Sequence, residues 1–366
     1  MQKKIIAIQQ PRSNFSSDVD KATNKYSFHE LPFPKIDITE PFNNELIEIL
    51  ENTTASVITS GTASGITNPN QFQHDTISNN GKRIELLWVP HIHTEPSNTN
   101  IIFENISCFF EEATSKTSPS PSKSVVFIET IPELGRNDKK FRTTPQSFKN
   151  LLTQILNQSP NFPGENWYTA AQAALYNLPM FCPEPSESHL IEETNKIESI
   201  NPVDHIAYKF FTDHYKQSKQ LNDPSFKFGS LDTVLDSYIR RYAKEANVED
   251  LKTKLRTMID ELWGRTFEFT ADFFNNHSQD FEILMTPAGF EPSSIEQQTM
   301  SEGLMNYKHL VDSIRNVPLK HGLCRDLNIL HELHSALHSR DVIYMVYGYG
   351  HRQTRLTGIN YLIKQF

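Results

Sequence analysis

Two histidines one residue apart, a glutamate and a third histidine each stand just after an apolar run of strand length. Residues 83–89 (RIELLWV) lead into Pro90-His91-Ile92-His93, residues 124–128 (SVVFI) into Glu129, and residues 342–347 (VIYMVY) into Gly348-Tyr349-Gly350-His351. Imidazole nitrogens and a carboxylate are a donor set for a divalent cation, and equally a set of acid–base groups near neutral pH. In extended chain, residues two apart face one side, so His91 and His93 fit a single ion. A fourth run, residues 179–182 (PMFC), is followed by Glu184, another carboxylate at a strand end. A carboxylate after four apolar residues needs a partner, because an unpaired buried charge costs roughly several kcal/mol. For Glu129 the competing partners are Arg136 and Arg142.

The elements that must position these groups alternate strand and helix. After His93, Ser97 or Asn98 begins a helix to about Ala113, with Ile102, Ile106, Phe109 and Phe110 as its apolar stripe. Strand, helix, strand in this order predicts a parallel crossover. Helices are further predicted over 43–51, 147–157, 167–177, 204–218, 231–263, 294–315, 325–339 and 357–364, with a short strand over 179–182. The expected fold is α/β: a largely parallel sheet flanked by helices, with a long helical insertion. Its parts are a loop-rich extension (1–80), the first part of the core (81–203), a helical insertion or cap (204–316) and a return to the core (317–366). In such sheets ligands gather beyond the carboxyl ends of the strands, where these four polar groups sit.

Several other chemistries fail on spacing. Residues 60–65 (SGTASG) lack the Gly-Lys-Ser/Thr ending of a phosphate loop, and Gln353 stands where a dinucleotide fingerprint after Gly348 needs its third glycine. Ser335 occupies the second histidine of a zinc-protease pattern at His331-Glu332, so His331, His334 and His338 read as the polar border of a helix. There is no GxSxG elbow. Cys108, Cys182 and Cys324 are far apart in mostly apolar surroundings, which predicts buried reduced thiols and no disulfide framework. A net charge of −9 argues against a nucleic-acid grip, and no run reaches the roughly 18 apolar residues of a membrane span. The expected location is the cytoplasm, or outside the cell without a cleaved signal peptide.

In their order and strand contexts, these islands resemble the TraB/TIKI group of the erythromycin-esterase/ChaN-like superfamily. Residues 88–97 (WVPHIHTEPS) are similar to its first motif, with His93 at the motif histidine and Pro90 in place of a glycine. Residues 125–133 (VVFIETIPE) match the second through Glu129, and residues 347–352 (YGYGHR) the third through Gly348 and His351. Cys324-Arg325-Asp326 resembles the group's Glu-Arg-Asn/Asp helix start, and residues 179–186 (PMFCPEPS) a strand carrying a further acid, Glu184. The resemblance implies metal-dependent hydrolysis of a peptide or ester bond. His93, Glu129 and His351 would hold a divalent cation with His91 as an extra ligand, Glu184 would be the general base and Arg325 the oxyanion partner; in a variant without metal, one histidine is the general base and Glu129 orients it. Related domains also occur in bacterial toxins.

Two rival expectations stand beside this one. His91-Ile92-His93 also resembles the His-x-His of amidohydrolase or PHP-type barrels, which would need His205, His214 or His277 at strand ends. A secreted effector using residues 204–316 to bind a protein partner is the non-enzymatic alternative.

Overall fold

Three of the four predicted strands lie side by side in the middle of one sheet. The computed structural model describes residues 36–59, 72–90, 96–117, 120, 122–129, 142–143, 165–185, 187–197, 200–221, 223–243, 247–289, 302–349 and 352–366. Its strands are β1 (Gln73–Asn79), β2 (Lys82–Val89), β3 (Ser124–Ile128), β4 (Arg142–Thr143), β5 (Met180–Phe181) and β6 (Val342–Gly348), in the order β1-β2-β6-β3-β5-β4. The four central strands are parallel, and the outer two pair antiparallel to their neighbours. The last strand thus fills the slot between β2 and β3, with Val89 opposite Gly348 and Ile128 opposite Val346. β3 is buried throughout, as are β2 from Ile84 and β6 from Ile343. A strand covered on both faces has no solvent side, which is why each is an almost unbroken apolar run.

Glu85 is the polar exception inside β2. Fully buried, it is satisfied by His74, Thr76 and Arg83. β1 departs from expectation, since its polar residues lie in the stretch over 1–80 expected to be loop-rich. Asn80 and Gly81 both have positive φ (45° and 83°), the pair that closes a two-residue hairpin, so β1 folds back on β2.

Along one face of the sheet, Leu87, Val89, Val126, Ile128, Tyr344 and Val346 pack with α2 (Pro96–Thr117) and α3 (Glu165–Leu175). The predicted stripe of Ile102, Ile106, Phe109 and Phe110 is buried there. α2 starts earlier than expected, at Pro96, a residue whose fixed φ and missing N–H suit a first turn.

The chain divides into two units: Met1–Leu50, Asn68–Ser186 and Asp326–Phe366, which hold the sheet, and Glu51–Thr67 with Glu187–Arg325. The helical stretch therefore begins near 187 and ends at 325, where 204 and 316 were expected. Within residues 1–80, α1 (Glu40–Thr59) lies where a helix over 43–51 was expected and extends beyond it at both ends, and β1 follows it.

The second unit holds α4 (Glu187–Asn195), α5 (Pro202–Gln220), α6 (Leu231–Tyr242), α7 (Val248–Trp263), α8 (Ala271–Asn276), α9 (Ser278–Met285) and α10 (Glu302–Asn306). Its core is aromatic, around Phe210, Phe211, Trp263, Phe274 and Phe281. The single helix expected over 231–263 is two, because Asn247 caps α7 by accepting from the N–H groups of Glu249 and Asp250. Conversely, the helices expected over 294–315 and 325–339 meet in α11 (Lys308–Ser339), which runs on through Pro318. Burial of Ile314 and Val317 beside the proline outweighs the hydrogen bond it removes. α12 (Arg352–Ile363) closes the chain and begins five residues before the predicted 357. No described helix is long and apolar enough to cross a membrane. The helix expected over 147–157 lies outside the described residues.

Candidate active site

β2, β6, β3 and β5 run the same way, so their carboxyl ends form one rim of the sheet. Of the groups singled out from sequence, Glu129 and Glu184 lie among the described residues there. Glu129, directly after β3, is half-buried, and its Oε2 accepts the Gly348 N–H at 3.2 Å, tying the ends of β3 and β6 together. Glu184 follows β5 and is 8% exposed. The carbonyl of the preceding Pro183 accepts from Asn328 Nδ2 at 2.6 Å, which fastens this segment to α11. His91, His93 and His351 lie outside the described residues, as do the side chains of Arg136 and Arg142. Among the described residues no three histidine, cysteine or acidic side chains gather as a metal site.

The rim also contains groups that the sequence reading missed. Tyr347, the penultimate residue of β6, is 1% exposed, and its hydroxyl has no hydrogen-bond partner among the described residues. The Arg355 guanidinium, on α12, stands 4.4 Å from the centroid of its ring. Arg355 is itself fully buried and donates through Nε to Asp326 Oδ1 at 2.6 Å, while the Thr354 hydroxyl donates to Asp326 Oδ2 at 3.0 Å. Burial drives the Tyr347 phenol pKa well above its usual value. The Glu184 carboxylate adds to this, Arg355 pulls the other way, and Cys182 and Glu129 add smaller upward pushes. The phenol therefore stays protonated and is a donor at any physiological pH.

One further clamp orders the rim beside β2. Arg352, the first residue of α12, makes a two-pronged ion pair with Asp75 on β1 (2.9 and 3.1 Å), and Trp88 Nε1 donates to the same carboxylate at 2.8 Å. Arg352 immediately follows His351 in sequence.

Other sequence readings come out differently. Arg325 is half-buried in the middle of α11, not at a helix start, and belongs to the helical unit. Its neighbour Asp326 is the residue of that tripeptide found at the rim. His331 bonds Asn43 Oδ1 at 2.7 Å, and His334 packs on Phe42 and His338, consistent with a polar helix border. His205 and His214 lie within α5, and His277 caps α9, so none of them ends a strand as an amidohydrolase barrel would need. Of the three cysteines only Cys182 is fully buried; Cys324 is half-buried and Cys108 is exposed on α2, which corrects the expectation of three buried thiols.

The signal for Asp326 and Arg355 was faint. Each is a charged residue in a helix, and most such residues face water. Tyr347 was visible as the end of a strand, yet nothing in its neighbours marks its hydroxyl as unsatisfied. Comparison with family models, curated proteins and solved structures finds no match to this chain.

Proposed function

We propose that the protein is a metal-assisted hydrolase acting on a carbonyl substrate, a peptide or an ester, at the carboxyl rim of the sheet. The observation that carries this reading is the parallel run β2-β6-β3-β5, since the residues that follow these strands in sequence include His91 and His93, His351, Glu129 and Glu184. Adjacent strands are about 4.8 Å apart, so four of them span about 15 Å. His93 follows Val89 by four residues and His351 follows Gly348 by three. Chain reach alone bounds them to within roughly 14 and 11 Å of those strand ends.

His93, Glu129 and His351 are the residues that would hold a divalent cation, with His91 as an extra donor. Such a cation polarises a carbonyl and lowers the pKa of water bound to it. The remaining work falls to side chains. Glu184, beside Tyr347, takes the proton of the attacking water and returns it to the departing alcohol or amine as the C–O or C–N bond breaks. The Tyr347 hydroxyl, held protonated, donates to the oxygen that gains charge as the carbonyl is attacked. Arg355 and Asp326 fix the ring from behind. Arg325 is given no role.

This role for Tyr347 has an unusual signature. Removing a buried hydroxyl that lacks a partner relieves a desolvation cost, so Tyr347→Phe is expected to raise stability by about 1 kcal/mol. The same change is expected to slow hydrolysis by roughly 10²-fold, the scale of one lost oxyanion donor. Urea unfolding and a turnover assay on a panel of chromogenic ester and peptide substrates measure both. A variant that is more stable and equally active reduces Tyr347 to packing. The reading as a whole is tested by chelation: hydrolysis by the purified full chain is expected to vanish with a strong chelator and return with added zinc or manganese. Activity indifferent to chelator removes the metal from the proposal.

A further inference from the structure

Within the helical unit, four helices are linked by an unbroken series of hydrogen bonds between polar groups. Asn195 on α4 donates through Nδ2 to the Tyr242 carbonyl of α6 at 3.0 Å. Its Oδ1 lies 3.0 Å from His205 Nδ1 on α5, and His205 Nε2 lies 3.0 Å from His321 Nε2 on α11. Both imidazoles are buried, at 0% and 9% exposure, and they meet edge to face.

The direction of each bond follows from the first. The asparagine amide group is spent on a carbonyl, so its oxygen must accept, and His205 Nδ1 carries the hydrogen. A neutral His205 then presents a bare lone pair at Nε2, and His321 supplies the N–H that fills it. This order exists only while His205 is uncharged. A proton on His205 Nε2 takes away that acceptor: either two N–H groups meet at 3.0 Å, or His321 shifts its hydrogen to Nδ1 and accepts, which leaves a charged imidazolium in a dry interior.

We propose that the His205–His321 pair is an acid-sensitive latch, closed at neutral pH and released on protonation of His205, so that α5 separates from α11 and the helical unit loosens in acid. The charges that face the pair favour this behaviour. Lys209, one turn along α5, is a cation that acts on both imidazoles, and Glu187 on α4 lies 3.9 Å from its ammonium group. Glu187 is already bonded to Arg241 and to the Tyr242 hydroxyl of α6, and so is partly engaged elsewhere. Tyr242 and Tyr208 place rings at 5.3 and 6.0 Å from the imidazoles. On α11, Lys320 is paired with Glu51, and the Cys324 thiol is pushed upward by burial. Burial and then Lys209 depress His205 to about 4. Burial, Lys209 and His205 depress His321 to about 3.

An unfolded histidine titrates near 6.5. Between about 6.5 and 4, therefore, the unfolded chain binds more protons than the folded one, and stability falls as the pH falls; below about 3 the difference no longer grows. Asp204, next to His205 and bonded to Ser313 on α11, acts in the opposite sense. Its pKa is raised by burial, so acid favours its folded form. The latch is thus identified by substituting histidine, since Asp204 alone would make acid stabilising.

Amide hydrogen exchange of the full chain, corrected for intrinsic rates, is the test. In the wild type, exchange in α5 and α11 is expected to accelerate from pH 6 downward, with a slope that approaches about a hundredfold per pH unit, that of two protons, one for each histidine. His205→Gln retains an oxygen that can accept from His321 and cannot take up the proton; it is expected to be folded at pH 7.5 and to keep only the part of the slope due to His321, about tenfold per pH unit. An unchanged slope in His205→Gln, or no acceleration in the wild type, overturns the latch. If His205→Gln does not fold, ring-proton NMR titration of the wild type decides. Both histidines are expected to remain neutral until the pH is below 5, and titration of His205 above 6 with the fold intact overturns it.

Discussion

Asp326→Ala is expected to destabilise the sheet-bearing unit by about 3–5 kcal/mol, because it removes the carboxylate that accepts from the buried Arg355 Nε. Arg355 has no exposed surface and Asp326 is 2% exposed, so water does not take over the lost interaction unless the structure opens. The Thr354 hydroxyl loses its acceptor in the same step. Against a typical total of roughly 5–15 kcal/mol for a domain, this is a large share. Replacing both members, as in Asp326→Ala with Arg355→Met, is expected to recover much of the loss, since an apolar side chain of similar length needs no partner. Urea unfolding of the two single variants and the double one measures the coupling. A loss below 1 kcal/mol for Asp326→Ala means that the guanidinium reaches solvent, and the packing of Arg355 against Tyr347 is then not rigid.

The second large effect concerns activity. His93→Ala, His351→Ala and Glu129→Gln are each expected to reduce hydrolysis by roughly 10³-fold or more, the scale of several kcal/mol of charge stabilisation supplied by a bound cation. Glu129→Gln is the most discriminating of the three. Its amide oxygen can still accept the Gly348 N–H, so the tie between β3 and β6 survives while the negative charge is lost. Its unfolding midpoint is expected to stay close to that of the wild type. A Gln variant with full turnover would show that the residue serves only to join the two strand ends.

The sequence displayed the centre of the sheet more clearly than its borders, for a physical reason. β2, β3 and β6 are covered on both faces, and burial on both faces leaves a continuous apolar run. β1 is an edge strand with alternate residues exposed, so its sequence, QHDTISN, resembles a polar loop. Only the Asn80-Gly81 pair marked the hairpin. β5 was legible as PMFC, but at two residues it is shorter than a pattern can establish. The helix boundaries shifted wherever tertiary packing opposed a local rule. Pro318 did not end α11, and Asn247 divided a periodic stretch that had no proline or glycine to mark the break.

The candidate site was legible to the same degree. Glu129 and Glu184 could be placed because each follows a buried strand, and a parallel sheet gathers such positions on one edge. Asp326, Arg355 and Tyr347 could not be placed. A buried arginine is defined by what packs on it, and those partners come from α11 and β6, separated along the chain. Arg325 was chosen for its type and for a motif resemblance, whereas the structure puts its neighbour Asp326 at the rim.

Titration of zinc or manganese into the metal-stripped full chain, followed by calorimetry, tests the central claim most directly. The account predicts one equivalent bound with micromolar or tighter affinity, lost when His93, Glu129 and His351 are replaced together while the circular dichroism spectrum is unchanged. Absence of binding to the folded wild type, or binding of the same strength by the triple variant, would contradict it.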